Sequence, residues 1–147
     1  MKVLIQRVLS ASVRLVKEGK IKEKSSIGKG LLLFVGIGKD DSQDTASFLV
    51  EKIFNLRIFE NNGKFDLSLA DIKGEVLAVP QFTLYGDTEK GRRPEFTGAE
   101  RPDRAKILFD FFCDRIGDYV SYKKGFFGEK MEVELINDGP VTLMVEK

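Results

Sequence analysis

Histidine is absent from this 147-residue chain, and cysteine occurs once. Without histidine the commonest general base at neutral pH is missing. A Ser-His-Asp or Cys-His catalytic arrangement is therefore excluded. With only Cys113 in addition, a zinc site lacks its usual donors, and no metal or other cofactor is expected. One cysteine also excludes an internal disulfide and points to a reducing compartment. Within "ILFDFFCDRI" Cys113 reads as a buried structural thiol rather than a reactive one. There is no excess of either charge: the formal net charge is +1, so a strongly basic nucleic-acid binder is not indicated. A membrane span is missing too. The amino-terminal stretch "MKVLIQRVLSASVRL" alternates and carries Arg7 and Arg14, too polar for a span or a signal peptide. "IGKGLLLFVGIGK" has glycines, but not at the spacing of a phosphate-binding or dinucleotide-binding loop. An enzyme of this composition must use carboxylates, lysine, hydroxyls, backbone amides or groups on its substrate. A cytoplasmic location is expected.

What is present is the composition of a globular protein, 42% hydrophobic and 32% charged, without repeat, linker or low-complexity tract. Residues 1–147 are expected to form a single domain with a substantial core. Residues 2–9 and 11–17 read as strand with a bulge near Ser10-Ala11, and "IKEKS" returns as a hairpin. "LLLFVGI" is a continuous apolar run, as in a strand covered on both faces. Ser42 or Asp41 can cap a helix in which Phe48, Leu49, Lys52, Ile53 and Leu56 have helical spacing. "RIF" and "FDLSL" flank the turn "ENNGK". "EVLAV" is a strand that runs on, extended, into "PQFTLYGD". A polar loop occupies 87–99. A second helix runs through "RPDRAKILFDFFCDRIG", with Pro102 in its first turn and Gly117 at its end. "DYVSY" is a further strand and "KKGFFGE" a loop. Asp138-Gly139 between "KMEVEL" and "VTLMVE" signals a hairpin. Two helices among many strands predict an α/β protein of three layers, α/β/β, with mixed and largely antiparallel sheets.

Two stretches have the means for chemistry. In "VPQFTLYG", read as extended, Gln81 and Thr83 share one face while Phe82 and Leu84 take the other. Pro80 has no N–H, which weakens ladder pairing there and can leave the amides of Phe82 and Thr83 free to face an oxyanion. The plain alternative is an edge strand with surface Gln and Thr. In "NDGPVT", a Gly139-Pro140 bond in the cis form would present neighbouring carbonyls in a fixed direction; the plain alternative is an ordinary hairpin. The cations around "EKGRRPEF" and "ERPDRAK", and those of residues 14–30, can track a phosphate backbone or simply be solvated. Phe127 in "GFFG" can stack on a base or plug the core.

Taken together and in order, "IQRV…ASV", "FNLRIFENNGK", "QFTLYGDTEKGRRPEF", "GFFGEKM" and "NDGPVTL" resemble the D-aminoacyl-tRNA deacylases over nearly the whole chain. The resemblance implies an esterase that edits tRNA. Its reaction releases D-amino acids, and mischarged glycine, from the 3′-terminal adenosine while sparing L-aminoacyl-tRNA. It implies a homodimer with active sites at the interface, tRNA as the partner, and no metal. Gly139 and Pro140, as a cis pair entering the partner's pocket, would crowd the place of an L side chain, with Arg7 orienting them. Gln81, Phe82 and Thr83 would line the reacting ester, and Phe127 with Met131 would hold the adenosine. With no histidine available, the 2′-hydroxyl beside the ester can position or activate water, so that proximity replaces a protein base. Two departures stand out: Pro80 where the family usually has serine, and "FGEKM" in place of "FGADM". The reading favoured is that a serine side chain at position 80 is dispensable. A non-catalytic RNA-binding or proofreading accessory domain, or a structural oligomer subunit, are the competing classes.

Overall fold

The structure, a computed structural model, describes residues 1–147. Its centre is the apolar run predicted to be covered on both faces. Strand β3 (Gly30–Gly36) has only Phe34 less than fully buried. Strand β1 (Lys2–Lys17) pairs with it antiparallel, and β6 (Glu75–Pro80) pairs with it parallel. Alternation then divides the side chains. Leu31, Leu33 and Val35 of β3, with Val76 and Ala78 of β6, face the helices. Leu32, Leu77 and Val79 face the other way.

Helix α1 (Gln43–Asn55) starts at Ser42, whose hydroxyl accepts the Thr45 amide while the Thr45 hydroxyl accepts the Ser42 amide. This reciprocal cap satisfies two N–H groups that the helix cannot. Its stripe of Ala46, Leu49, Val50 and Ile53 is buried. Helix α2 (Pro102–Gly117) opens on Pro102, whose missing N–H costs nothing in a first turn, and buries Leu108, Phe109, Phe112 and Cys113. Burial pushes the Cys113 thiol up to about 12, with the Lys124 charge opposing and Asp110 and Asp114 adding. It is an unreactive core thiol, as its sequence context predicts. Each helix is a crossover between parallel strands: α1 from β3 to β6, and α2 from β6 to β7 (Tyr122–Lys124).

The third layer comes from the same sheet folding over itself. Val3 and Ile5 face the helices, but Val8, Ala11 and Val13 belong to the opposite core. The phase changes because Val8 pairs with Asn137 and Ser10 with Ile136, which leaves Leu9 as one extra residue. Such a bulge reverses side-chain alternation and bends the strand. It lies beside the predicted position. Beyond it β1, with β2 (Lys20–Ile27) and the first half of β8 (Met131–Glu146), lays Ile27, Met131, Val133 and Leu135 over Leu32, Leu77 and Val79. The predicted three layers are thus present. The six-stranded sheet runs β2-β1-β3-β6-β7, with β8 added to β1. A separate hairpin, β4 (Phe59–Asn61) and β5 (Lys64–Leu67), turns at Asn62-Gly63, where both residues have positive φ. No helix is long and apolar enough to cross a membrane.

Two predicted strands differ here, and a third, "QFTL", differs at the cleft. "DYVSY" does not pair from Asp118, because the amides of Tyr119 and Val120 both donate to Ile116 O and finish α2 instead. The strand begins only at Tyr122. More consequentially, "KMEVEL" and "VTLMVE" do not pair with each other across Asp138-Gly139. Both pair antiparallel with β1, as parts of the single strand β8. The 16-residue β1 is long enough to take both halves. The ladder jumps from Gln6–Thr142 to Val8–Asn137, so Arg7 alone stands opposite residues 138–141. Pro140, without a donor, sits in this looped-out stretch rather than in a turn.

Candidate active site

A cleft of about 620 Å³ opens where β6 leaves the sheet. The Gln81 amide donates to Val35 O at 2.8 Å, the last bond of the parallel ladder. The chain then coils into a single 3-10 turn, Phe82–Tyr85, closed by Leu84 N–H to Gln81 O (3.3 Å) and Gly86 N–H to Thr83 O (3.0 Å). The turn can lie on the end of β3 because position 36 is glycine. A Cβ there would stand 3.0 Å from Gln81 O and 3.2 Å from Leu84 Cβ.

This corrects the extended reading of "QFTL". Gln81 and Thr83 are linked side chain to side chain, Nε2 to Oγ1, rather than sharing a strand face. Phe82 does not pack inward; it is 58% exposed and meets Phe96 edge-on at 5.1 Å. The amides of Phe82 and Thr83 donate to no acceptor within the chain, as expected at the start of a helical turn. Pro80 leaves the β3 side of the ladder intact. Gln81 N–H makes the bond to Val35, while Pro80, the residue in register with Val35, turns its nitrogen away from β3. On that side β7 has already ended, its last partner pair being Ala78–Lys124. Proline therefore costs no bond to β3, and pairing on the β7 side stops where its missing donor falls, as expected at a strand end.

The opposite wall comes from the loop after β7. Gly125 N–H donates to Ala78 O at 2.8 Å and directs that loop along the cleft. Phe127 and Met131 both line it. The Phe127 ring lies 6.1 Å from Phe109 of the core, and Met131 Sδ accepts the Phe126 amide at 3.1 Å. Sequence reasoning missed the third wall, Phe96, Glu100 and Arg101. Phe96 carries the signal of an aromatic in a polar loop. Glu100 and Arg101 have none, since only the placement of α2 brings them there. The two cleft carboxylates are occupied. Glu100 accepts from Arg104 and from the Arg101 amide, both at 2.7 Å, and Glu129 accepts from Lys17 at 2.8 Å.

Arg7, Gly139 and Pro140 form a second constellation that does not line this cleft. Arg7 is buried, with 3% of its side chain exposed. Its guanidinium donates Nη1–H to Ile58 O (2.6 Å), Nε–H to Asp138 O (3.0 Å) and Nη2–H to Gly139 O (3.2 Å). It also pairs with the Asp138 carboxylate at 3.0 Å. Asn137 Nδ2 closes the base of the loop by donating to Arg7 O and Val141 O, at 2.9 and 3.1 Å. The Gly139–Pro140 peptide is cis.

A family model described as D-Tyr-tRNA(Tyr) deacylase matches residues 4–146. The chain belongs to this family. A solved structure described as a c-Myc DNA unwinding element binding protein is similar to the deacylase at 37% identity and TM-score 0.90, over 100% of this chain and 99% of that one. A probable eukaryotic D-amino acid tRNA deacylase shares the fold at 19% identity and TM-score 0.83, over 99% and 98%. The deacylase is thus a hydrolase of the aminoacyl-tRNA ester bond, which sets aside the accessory-domain and structural-subunit readings.

Proposed function

We propose that the deacylase cleaves the ester of D-aminoacyl-tRNA and of mischarged glycyl-tRNA in this cleft, in the cytoplasm, as a homodimer. The free amides of Phe82 and Thr83 are the carrying observation. They are donors with nothing in the chain to accept them; Phe82 lines an aromatic cleft that can take an adenosine, and Thr83 follows it just outside the lining. Amides aimed at a developing oxyanion contribute about 10²–10³ in rate each. Gln81 sets the turn through its bond to Thr83. Phe127 and Met131 hold the base, by stacking and by apolar contact.

Thr83 is not the nucleophile in this reading. A hydroxyl needs a base within reach, whereas Thr83 Oγ1 meets Gln81 Nε2, an NH2 group that only donates. Thr83→Ala should therefore lower kcat/KM on D-Tyr-tRNA by only about fivefold, the worth of one hydrogen bond near 1 kcal/mol. A folded Thr83→Ala protein with no measurable turnover would instead make Thr83 the attacking group.

The chiral filter is assigned to Gly139 and Pro140 of a second subunit, because within one chain the pair lies outside the cleft. Exposed Leu9, Ile136, Leu143 and Met144 lie on β1 and β8 near the motif and supply apolar surface for such a contact. Position 139 supports the assignment. A Cβ there would meet nothing closer than Asn137 Oδ1 at 3.9 Å, and its φ is not positive. Nothing in the chain itself requires glycine, so a glycine here leaves room for a group from outside the chain to approach the backbone. Gly139→Ala should leave Tm within about 2 °C, the range of a neutral surface change, and alter the ratio of D- to L-Tyr-tRNA hydrolysis. An unchanged ratio, or sedimentation as a monomer at assay concentration, would place the filter elsewhere.

A further inference from the structure

A loop from Asp87 to Glu95 leaves the cleft rim and returns to it. Its base is closed by Asp87 N–H to Glu95 O (2.7 Å) and Glu95 N–H to Asp87 O (2.9 Å). One residue further, Phe96 lines the cleft and meets Phe82, so the loop is anchored to a wall of the proposed ester site. Its charges are sorted by position. The carboxylates of Asp87, Glu89 and Glu95 stand at the base, and that of Asp87 is used locally to accept the Glu89 amide at 2.8 Å. Lys90, Arg92 and Arg93 flank Gly91 at the tip, where φ is +77°. All three cations are exposed, and none has a carboxylate within salt-bridge distance. Of the other cations near the cleft, Arg104 is engaged by Glu100 and Lys17 by Glu129, Arg101 meets Asp103 only at 3.8 Å, and Lys130 has no carboxylate partner but belongs to the wall opposite the loop. Lys24 is unpaired too, but it stands opposite Arg14 on the outer face of the sheet, away from the core that carries Met131 and Val133.

We propose that Lys90, Arg92 and Arg93 form a phosphate-binding tip that holds the RNA backbone a few nucleotides in from the 3′ end. The proposal rests on the deacylase reading of the cleft. From Phe96 back to Arg92 the chain spans at most about 14 Å, so the tip reaches phosphates next to a nucleotide lodged against Phe82 and Phe127. Guanidinium forks match phosphate oxygens in pairs. Contacts of this kind position an RNA without reading its bases.

The test is the triple variant Lys90→Gln/Arg92→Gln/Arg93→Gln, with Lys24→Gln as control. One arm follows binding of an uncharged RNA hairpin ending in CCA, by fluorescence anisotropy across a salt series. Losing three contacts should weaken binding about tenfold or more at low salt and flatten the slope of log affinity against log salt by about 2. A second arm compares D-Tyr-tRNA with D-tyrosyl-adenosine, which carries the ester and the 2′-hydroxyl but no phosphate. The triple variant should raise KM for the tRNA and match the parent protein on the adenosine ester, while Lys24→Gln changes neither. Unchanged affinity and slope, or an equal loss on both substrates, would overturn the assignment. Loop-dependent hairpin binding by a protein that releases D-tyrosine from neither substrate would uphold the loop and overturn the cleft.

Discussion

Arg7→Ala should lower the stability of the deacylase by about 3 kcal/mol and remove most of its discrimination against L-aminoacyl-tRNA. The guanidinium is buried and satisfies three carbonyls, on Ile58, Asp138 and Gly139. Hydrogen bonds to a charged group contribute about 1.5–3 kcal/mol each, and the carbonyls left behind lose their partner in a site closed to water. For a chain of this size the loss corresponds to a fall in Tm of roughly 6–12 °C. The effect on selectivity has a separate origin. Arg7 ties two successive carbonyls of the looped-out stretch to the β4 side of the molecule, so the backbone that would meet the substrate has one orientation. Without it the loop samples several, and a clash that depends on position is lost. Arg7→Lys separates the two effects. A lysine keeps the charge but is a point donor without the fork, so Tm should largely recover while the ratio of D to L hydrolysis stays lowered about tenfold, equivalent to about 1.4 kcal/mol. Full selectivity in Arg7→Lys would mean that the fork does not set the filter.

The second large effect belongs to the substrate. D-Tyr-tRNA ending in 2′-deoxyadenosine should be hydrolysed on the order of 10²–10⁴-fold more slowly, the usual contribution of a positioned proton acceptor or donor. The chain has no histidine. Its one thiol is buried in the core with its pKa pushed to about 12 by desolvation. Burial, together with the neighbouring Asp41 charge, drives the Tyr85 phenol above its ordinary range and leaves it protonated. The cleft carboxylates are tied to Arg104, to the Arg101 amide and to Lys17. The remaining group beside the ester is the substrate's own 2′-hydroxyl, held in place by the ribose. Hydrolysis of the deoxy substrate at the full rate would require a protein base that this arrangement does not contain.

The helices were legible because their signals are local. Ser42, Pro102 and the spacing of apolar residues act within a turn or two of the chain. The bulge in β1 was legible for the same reason, since Ser10-Ala11 interrupts an alternation. The looped-out Asp138–Val141 was not. Alternation on both sides and Asp-Gly between them fit a hairpin equally well, and only the length of β1 and its pairing with both halves decide otherwise. "QFTL" alternates like a strand, but Gly36, far away in sequence, makes room for it to coil. The cleft was half legible. Gln81, Phe82, Phe127 and Met131 do converge there. Glu100 and Arg101 enter only through the tertiary placement of α2, which no local pattern carries.

Release of amino acid from D-Tyr-tRNA, L-Tyr-tRNA and glycyl-tRNA, followed side by side at enzyme concentrations far below substrate, tests the central claim most directly. A site that excludes the L side chain by a fixed backbone cannot exclude glycine, which has none. The D and glycyl esters should be turned over many times while the L ester survives at its spontaneous rate. Equal hydrolysis of the D and L esters, or a glycyl ester as resistant as the L ester, would contradict it.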